Sequence, residues 1–387
     1  MTSSAPPVAL SHDAFRQEVR RFLRGPEAQR TLAAVAGHRP DEEAARLDLY
    51  RLLGERGWLA PNWPVAYGGL GLGAPEAAVV TEEMTLAGVP DDVHVLSIDI
   101  VGMFLLKSGT EAQKSRYLPA LARGEQTASV LFTEPEAGSD LSALRTRAER
   151  DGEGWRLYGT KVFNMKTQFA DFSLCAARTT DGAVGMHGIT LFLLPVRSPG
   201  VHIEPVPSIQ NDRFNLVVID GVRLTAADVV GTVDEGWWQL NELLQLERTG
   251  IDFHGKARRL LDLIIRRAAE TGRLADPAYA LQLVELDAKL RAARSLAWEM
   301  VHNLATGRAD PVASAMSKWY ASEQFRPVLR AGMDLEGAGG VLSAWDGEAP
   351  AQGLLEANYR LGPAHRLASG TSEIMLYLIA TNGLGLL

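Results

Sequence analysis

The chain has 387 residues, 46% hydrophobic and 22% charged, with a formal net charge of -8. This is the composition of a soluble globular protein with room for two or three domains, and it excludes collagen-like, low-complexity and disordered chains. Both charge signs are spread without a basic stripe, which argues against nucleic acid as a partner, and the one cysteine excludes an internal disulfide framework and suits a reducing cytoplasm.

The first residues, "MTSSAPPVALSHDAF", lack a basic region followed by an apolar run, so no secretory signal is expected. No apolar run reaches the ~18 residues of a membrane span. From about Ser11 to Gly124 the pattern is helical. "HDAFRQEVRRFL" and "EEAARLDLYRLLGERG" carry apolar residues at three- and four-residue spacing. "EAQKSRYLPALARGE" ends in a glycine, a plausible helix stop.

Near Gln126 the period changes. "TASVLFTE", "GWRLYGTKVF", "FSLCAART", "GITLFLLPV", "VHIEPVP" and "NLVVIDGVRL" are short runs of β-branched and apolar residues separated by Gly, Pro and Asp. They predict an antiparallel β domain. Cys175, inside one such run, reads as a buried structural thiol. After "GTVDEGWW" the helical period returns in three long segments and a final shorter one. The first runs unbroken through "WWQLNELLQLERTGIDFHGKARRLLDLIIRRAAE", and the third through "PVASAMSKWYASEQFRPVLRAGM". Four such helices predict a bundle. The expected fold is therefore α+β multidomain: a helical domain over residues 1–125, an antiparallel β domain over 126–230 and a C-terminal four-helix bundle over 231–387.

Several stretches could carry chemistry. "GLGLGA", Gly69 to Ala74, formally matches a dinucleotide fingerprint, but two prolines precede it where a strand is required, so it reads as a turn between helices. The eight histidines show no metal-ligand spacing, and no metal site is expected. "LFTEPEAGSD", Leu131 to Asp140, ends a strand in a Glu-Pro turn with hydroxyl and carboxylate groups at its tip; a capped β-turn and a ligand-binding tip are both open readings. "LNELLQLERTG" sets Glu247 beside Leu243, Leu244 and Ile251, one turn away on an apolar helix. A desolvated carboxylate there is a usable base, whereas a Glu247–Arg248 pair on a solvated face is the plain alternative. "HRLASGTSEIML", His365 to Leu376, interrupts apolar residues with Ser369-Gly370-Thr371-Ser372, a run suited to close backbone approach and to capping a new helix.

Taken together these stretches resemble the acyl-CoA dehydrogenase family over nearly the whole chain. "GWLAPNWPVAYGGLGLG", "GTEAQKSRYLPALARGE", "LFTEPEAGSD", "VVIDGVRLTAADVVG" and "GTSEIML" are similar to family motifs and stand in the family's order. The resemblance implies bound FAD. It implies that Val130, Phe132 and Thr133 line the flavin ring, with Ser139 reaching cofactor or thioester. The family's W-I-T-N segment falls on "FNMK", so Phe163 covers the ring and Met165 replaces the threonine that bonds flavin N5. Thr371, Ser372 and Glu373 are implied as FAD contacts, with Ser369, Gly370 and Arg248 beside the thioester.

The same resemblance implies the base. Many members carry a glutamate directly before the glycine of G-T-S-E, where this chain has Ser369. A second group carries it on the first bundle helix in L-x-x-E-R, which "LLQLERTG" matches, so Glu247 is the expected base. The R-x-x-F-G element that reaches a neighbouring subunit's FAD is reduced to "TGRLADPAYALQ", retaining Gln282. The Q-x-x-G-G element appears as Glu336 to Gly340, with Gly339 and Gly340 kept. The implied activity is FAD-dependent α,β-dehydrogenation of an acyl thioester on coenzyme A or an acyl carrier protein. An electron-transfer flavoprotein is the implied acceptor, and a homodimer or homotetramer in the cytoplasm the implied state. Two alternatives stand beside it: an oxidase or monooxygenase on the same fold, and a non-catalytic subunit of a hetero-oligomeric enzyme.

Overall fold

A computed structural model describes residues 12–35, 43–210, 213–247, 249–308 and 310–386, and for 43–45 and 242–247 the backbone alone. The first third is helical: α1 (His12–Leu23), α2 (Pro26–Val35), α3 (Glu43–Gly54), α4 (Ala74–Ala87), α5 (Asp92–His94), α6 (Met103–Ser108) and α7 (Glu111–Ala122). The predicted periodicity is what α1 buries, with Phe15, Val19 and Leu23 one helical turn apart on one face. The glycine run Gly69–Gly73 is a turn that leads into α4. A Cβ at Gly69 would lie 2.1 Å from the Trp63 carbonyl oxygen, so a close backbone crossing requires glycine there. Between α5 and α6 the chain winds as a π-helix, Val95–Gly102.

Eight strands follow among the described residues: β1 (Ala128–Leu131), β2 (Arg147–Asp151), β3 (Gly154–Met165), β4 (Phe172–Arg178), β5 (Ile189–Pro195), β6 (Val201–Pro207), β7 (Arg213–Leu224) and β8 (Val229–Val230). Their order is β6-β7-β3-β2-β4-β5-β8, with β1 beside β4. The expected antiparallel pairing holds for most of the sheet. Two contacts depart from it: β1 runs parallel to β4, Ala128 opposite Phe172 through Leu131 opposite Cys175, and β2 meets β4 in parallel at Arg147 and Arg178. The reason is topological: β1 reaches β4 by way of β2 and β3, and a crossover rather than a hairpin leaves two strands parallel. Cys175 is fully buried and its thiol is pushed up to about 11 by burial, consistent with an inert structural thiol.

The C-terminal helices are α8 (Gly236–Glu247), α9 (Ile251–Glu270), α10 (Pro277–Ala305), α11 (Pro311–Glu323), α12 (Phe325–Glu336), α13 (Leu354–Leu367) and α14 (Ser372–Leu378). Two predicted helices are each broken in two. The first stops at Glu247 and restarts at Ile251, because Gly250 adopts φ +77° and ends the helical path. The third breaks at Gln324, where Pro327 in the following turn lacks the N–H that a continuous helix would use. No helix among the described residues is long and apolar enough to cross a membrane.

One apolar core joins the first third to the sheet: Phe104 and Trp63 share it with Leu174, Leu191 and Leu240. The helical region is also fastened to the bundle by charge. Buried Glu82 on α4 accepts from Arg16 of α1 at 2.6 Å and from Arg294 of α10 at 2.7 Å. His254 of α9 lies 3.5 Å from the same carboxylate.

Burial pushes His254 down to about 4, with the Glu82 carboxylate opposing it, and burial with nearby Lys256 and Lys318 holds His365 well below its ordinary value. Unfolding lets both rings protonate near pH 6.5. Between about 6.5 and 4 the unfolded chain therefore binds protons that the folded chain does not, and stability falls as pH drops through that window. The slope for each ring is at most about 1.4 kcal/mol per pH unit. Urea midpoints are expected to decline from pH 6.5 to 4.5, and His254→Gln to make that decline shallower; an unchanged slope in the variant refutes the assignment.

Candidate active site

Strand β1 delivers a ledge of side chains to an open edge. Val130 and Thr133 are half-buried and Phe132 is buried. Beneath them a row of buried hydroxyls, Thr167, Ser129 and Ser173, links β1 to β4. The chain then turns tightly, Glu134 and Ala137 exchanging backbone hydrogen bonds. The Glu134 carboxylate is buried and accepts from the Arg145 N–H at 2.6 Å, the Thr146 N–H at 2.9 Å and Lys161 Nζ at 2.8 Å. Lys161, fully buried, also donates to the Phe132 carbonyl. Burial alone would raise the Glu134 pKa, yet the Lys161 charge and the donated hydrogen bonds hold it below the ordinary value. So the Leu131–Asp140 stretch is anchored at Glu134 and open at its tip. Gly138, Ser139 and Asp140 are exposed, and a Cβ on Gly138 would meet nothing within 4 Å.

The end of β3 faces this ledge. The Val162 N–H donates to the Thr133 carbonyl. Just beyond, the β3–β7 register slips between Lys161 and Asn164, and both Phe163 and Lys166 take positive φ, +57° and +58°. Neither residue type favours that region, so the segment is held against strain by its surroundings. Phe163 stands 58% exposed, edge-on to Phe214. Met165 is half-buried and in register with Phe214. Lys166 pairs with Asp92 at 3.2 Å, and Arg46 reaches the same oxygen at 2.8 Å. Burial opposes the Asp92 charge, but Lys166 and Arg46 bring its carboxyl to about 2.

Asp91, the preceding residue, pairs with Lys256 on α9 at 2.7 Å. The two adjacent aspartates therefore set the end of β3 and the first turns of α9 on opposite sides of one spacer. On the α9 side, α11 gathers two loops. The Ser317 hydroxyl donates to the Thr249 carbonyl at 2.6 Å, in the turn that follows Glu247. Lys318 Nζ donates to the Gly370 carbonyl at 2.7 Å and the His365 carbonyl at 3.2 Å. Ser369 and Gly370 both have positive φ. Thr371 caps α14 by accepting from the Ile374 N–H.

The residues expected from the sequence thus fall into two groups. Val130, Phe132, Thr133, Ser139, Phe163 and Met165 surround the exits of β1 and β3. Ser369, Gly370 and Thr371 lie with the backbone that follows Glu247, around α11. Arg248 lies outside the described residues, as does the Glu247 side chain. Glu373 is exposed on the first turn of α14, its carboxyl held below the ordinary value by its own backbone N–H and by Thr371. Ser372 is turned inward: its buried hydroxyl donates to Glu323, which Arg366 also holds.

Gln282, Glu336, Gly339 and Gly340 sit elsewhere. Glu336 is paired with Arg267 through two hydrogen bonds, one of 2.8 Å. Arg267 is more than four turns along α9 from Gly250, roughly 25 Å at 1.5 Å per residue. Gln282 is half-buried between the exposed Leu281 and Val284 of α10, Gly339 is half-buried and Gly340 buried. Within one chain this third set does not reach the cleft between the first two groups.

Sequence reasoning missed the residues that hold the cleft in place: Asp91, Asp92, Glu134, Lys161, Ser317 and Lys318. A faint signal exists in "GTKVF" and "MSKWY", where a lysine interrupts an otherwise apolar or small-residue face.

Comparison with known proteins gives a consistent result. Residues 10–125, 129–222 and 234–384 match the N-terminal, middle and C-terminal domains of acyl-CoA dehydrogenase. The acyl-CoA dehydrogenase IpdE1 of Mycobacterium tuberculosis is 30% identical, covering 97% of each chain. The solved Tcur3481-Tcur3483 steroid ACAD is 29% identical with a TM-score of 0.89, covering 99% of this chain and 100% of its own. The prolyl acyl carrier protein oxidase AnaB is 25% identical with a TM-score of 0.84, covering 97% and 99%.

Removing one partner of the buried Glu134–Lys161 pair strands the other. Lys161→Met is expected to destabilise the protein by about 3–5 kcal/mol in urea unfolding. The double variant Lys161→Met, Glu134→Gln should lose less than the two singles combined; strict additivity would show that the two charges do not interact.

Proposed function

The chain belongs to the acyl-CoA dehydrogenase family of FAD-dependent oxidoreductases acting on CH–CH bonds, and we propose that it removes the α-proton of an acyl thioester with Glu247 in forming the α,β-enoyl product. The reading is carried by one placement: α8 ends at Glu247, and its exit turn is fastened to Ser317 of α11, next to Lys318, which holds the Gly370 carbonyl. A base and a set of backbone donors on neighbouring loops are what α-proton removal beside a carbonyl requires.

The residues present fit a flavin. Exposed Phe163 offers an aromatic face at a strained position, the neighbouring residue Val162 is bonded to the half-buried Thr133, and the space over Gly138 is open. Phe163, Val130, Phe132 and Thr133 would hold the ring, and Thr371 and Glu373 would contact the remainder of the cofactor. FAD, when bound, supplies the acceptor for the hydride that leaves Cβ. The chain's own part is distinct. Glu247 receives the α-proton at its carboxylate. The Ser369 backbone N–H donates to the thioester carbonyl and stabilises the charge that builds there. Met165 has no hydroxyl to offer, so any hydrogen bond from this position comes from its main chain.

Coenzyme A is the carrier this reading favours, because the relative at 30% identity is named an acyl-CoA dehydrogenase. AnaB, at 25%, is named for an acyl carrier protein, and that carrier belongs in the test. Electron-transfer flavoprotein is the proposed acceptor of the reduced enzyme's electrons.

A second reading is supported by the inward pairing of Glu336. With its carboxylate engaged by Arg267, the distant cluster has less to give to a neighbouring copy's cofactor. A hetero-oligomer in which another chain completes the site accommodates this, and the name of the Tcur3481-Tcur3483 enzyme joins two components. FAD per chain and native mass of the protein purified alone separate the readings: a yellow homomer supports the first, a colourless chain that takes up FAD on adding a partner supports the second.

Glu247→Gln is expected to keep its FAD and to lose substrate-driven flavin bleaching by about a thousandfold. Ser369→Glu in that background should restore a measurable part. The measurement is flavin absorbance on mixing with acyl thioesters on both carriers, and bleaching of Glu247→Gln at the wild-type rate removes Glu247 as the base.

A further inference from the structure

We propose that Ser317 and Lys318, adjacent on α11, are positioning residues that hold the turn after Glu247 and the Ser369–Gly370 turn in one fixed relation across the cleft. The proposal rests on the reading that Glu247 takes the α-proton while the Ser369–Gly370 backbone meets the thioester carbonyl. Those two loops are far apart in sequence and belong to different helices. The first leans on Ser317 and the second on Lys318, neighbours on one helix.

Consecutive helical residues differ by about 100° in direction and 1.5 Å in rise, so a dipeptide can address two loops at once. Both side chains are fully buried. The Ser317 hydroxyl donates to the Thr249 carbonyl at 2.6 Å. A Cβ on Gly250 would lie 2.6 Å from Ser317 Oγ and 3.0 Å from the Ser317 carbonyl oxygen, so the turn after Glu247 is pressed against α11. Lys318 bridges two carbonyls, that of His365 in the last turn of α13 and that of Gly370 beyond it. A cation is favourable at a helix C-terminus, where carbonyls lack intrahelical donors.

The Lys318 bond also answers a strain. Ser369 has φ +54° and Gly370 φ +87°. The left-handed region is unfavourable for serine, and surrounding bonds must hold it there. The ammonium is bonded on both sides of Ser369, at His365 and Gly370, and so fixes the direction of the intervening peptide. Productive geometry at a reacting centre tolerates errors of about 0.5 Å. A base on one loop and donors on another meet that tolerance only if something rigid sets their separation, and here α11 spans it.

The test uses full-length, FAD-loaded protein with Ser317→Ala, Lys318→Met, Lys318→Arg and the double variant Ser317→Ala, Lys318→Met. Two readouts are taken: the rate of flavin reduction by a saturating acyl thioester with the thioester Kd, and backbone hydrogen exchange over residues 248–251 and 366–371 without substrate. Ser317→Ala is expected to slow reduction about tenfold and Lys318→Met about a hundredfold, with Kd and flavin content within about threefold of wild type. Lys318→Arg should regain part of the rate, the double variant should lose less than the product of the singles, and each single should raise exchange in both segments. Wild-type rates in Ser317→Ala overturn the proposal. So does a loss of rate that merely tracks loss of FAD, or exchange raised only in the segment each side chain touches. If Lys318→Met does not fold, Ser317→Ala with Lys318→Arg is read instead, and a wild-type rate in Ser317→Ala still overturns the proposal. A wild-type protein that no acyl thioester bleaches overturns the dehydrogenase reading instead, while the exchange experiment still decides the clasp.

Discussion

The cleft depends on a buried ion pair. Lys161 and Glu134 are both removed from water where β1 ends, and neither would be tolerated there alone. Because Glu134 also accepts from two backbone N–H groups and Lys161 also donates to the Phe132 carbonyl, the charges are satisfied by structure as well as by each other. The pair joins three pieces: the strand end that carries Phe132 and Thr133, the segment that enters β2, and the middle of β3. Two residues past Lys161 the chain reaches Phe163 in a strained conformation. Strain persists only where neighbouring contacts over-determine the backbone, and this ion pair supplies that condition on one side, with Asn215 and Asp92 on the other.

The opposite wall is built by a different device. Helix α11 presents small polar residues, Ser314, Ser317 and Ser322, together with Lys318, on a buried face. Small side chains let loops come close enough for main-chain carbonyls to be the partners. An apolar face would pack against side chains and leave the carbonyls of Thr249 and Gly370 unsatisfied. The two walls are kept apart by Asp91 and Asp92, each paired with a lysine from a different wall. Charge pairs thus serve here to set distances. Their net worth in stability is a separate matter, since a desolvated pair can roughly break even.

Much of the fold is legible in the order of residues alone. Helical periodicity marks α1 and α3, and short β-branched runs between Gly, Pro and Asp mark β3 to β7. Motif order supplies the family. What periodicity cannot register is a local break: Gly250 and Pro327 each divide a helix that the apolar pattern carries straight through. Strand direction is equally hidden, since nothing in "TASVLFTE" tells whether β1 lies parallel or antiparallel to β4.

For the cleft, the residues proposed to meet ligands are legible because their motifs are short and contiguous. Glu247, Ser139 and Thr371 all stand in such motifs. The residues that support them are not, because each works through a partner remote in the chain: Lys161 with Glu134, Lys166 with Asp92, Lys256 with Asp91, Lys318 with Gly370. A lysine in a strand or helix reads as solvated until its surroundings are known, since burial and pairing are properties of the folded neighbourhood. Residue order alone thus yields the succession of helical, β and helical regions, the family and the short motifs, all of which are local in the chain. Only the tertiary structure decided which charges are buried, which loops share α11, and that Glu336 and Ser372 direct their polar groups inside the chain. Those outcomes follow from distances between segments, and chain order does not encode distance.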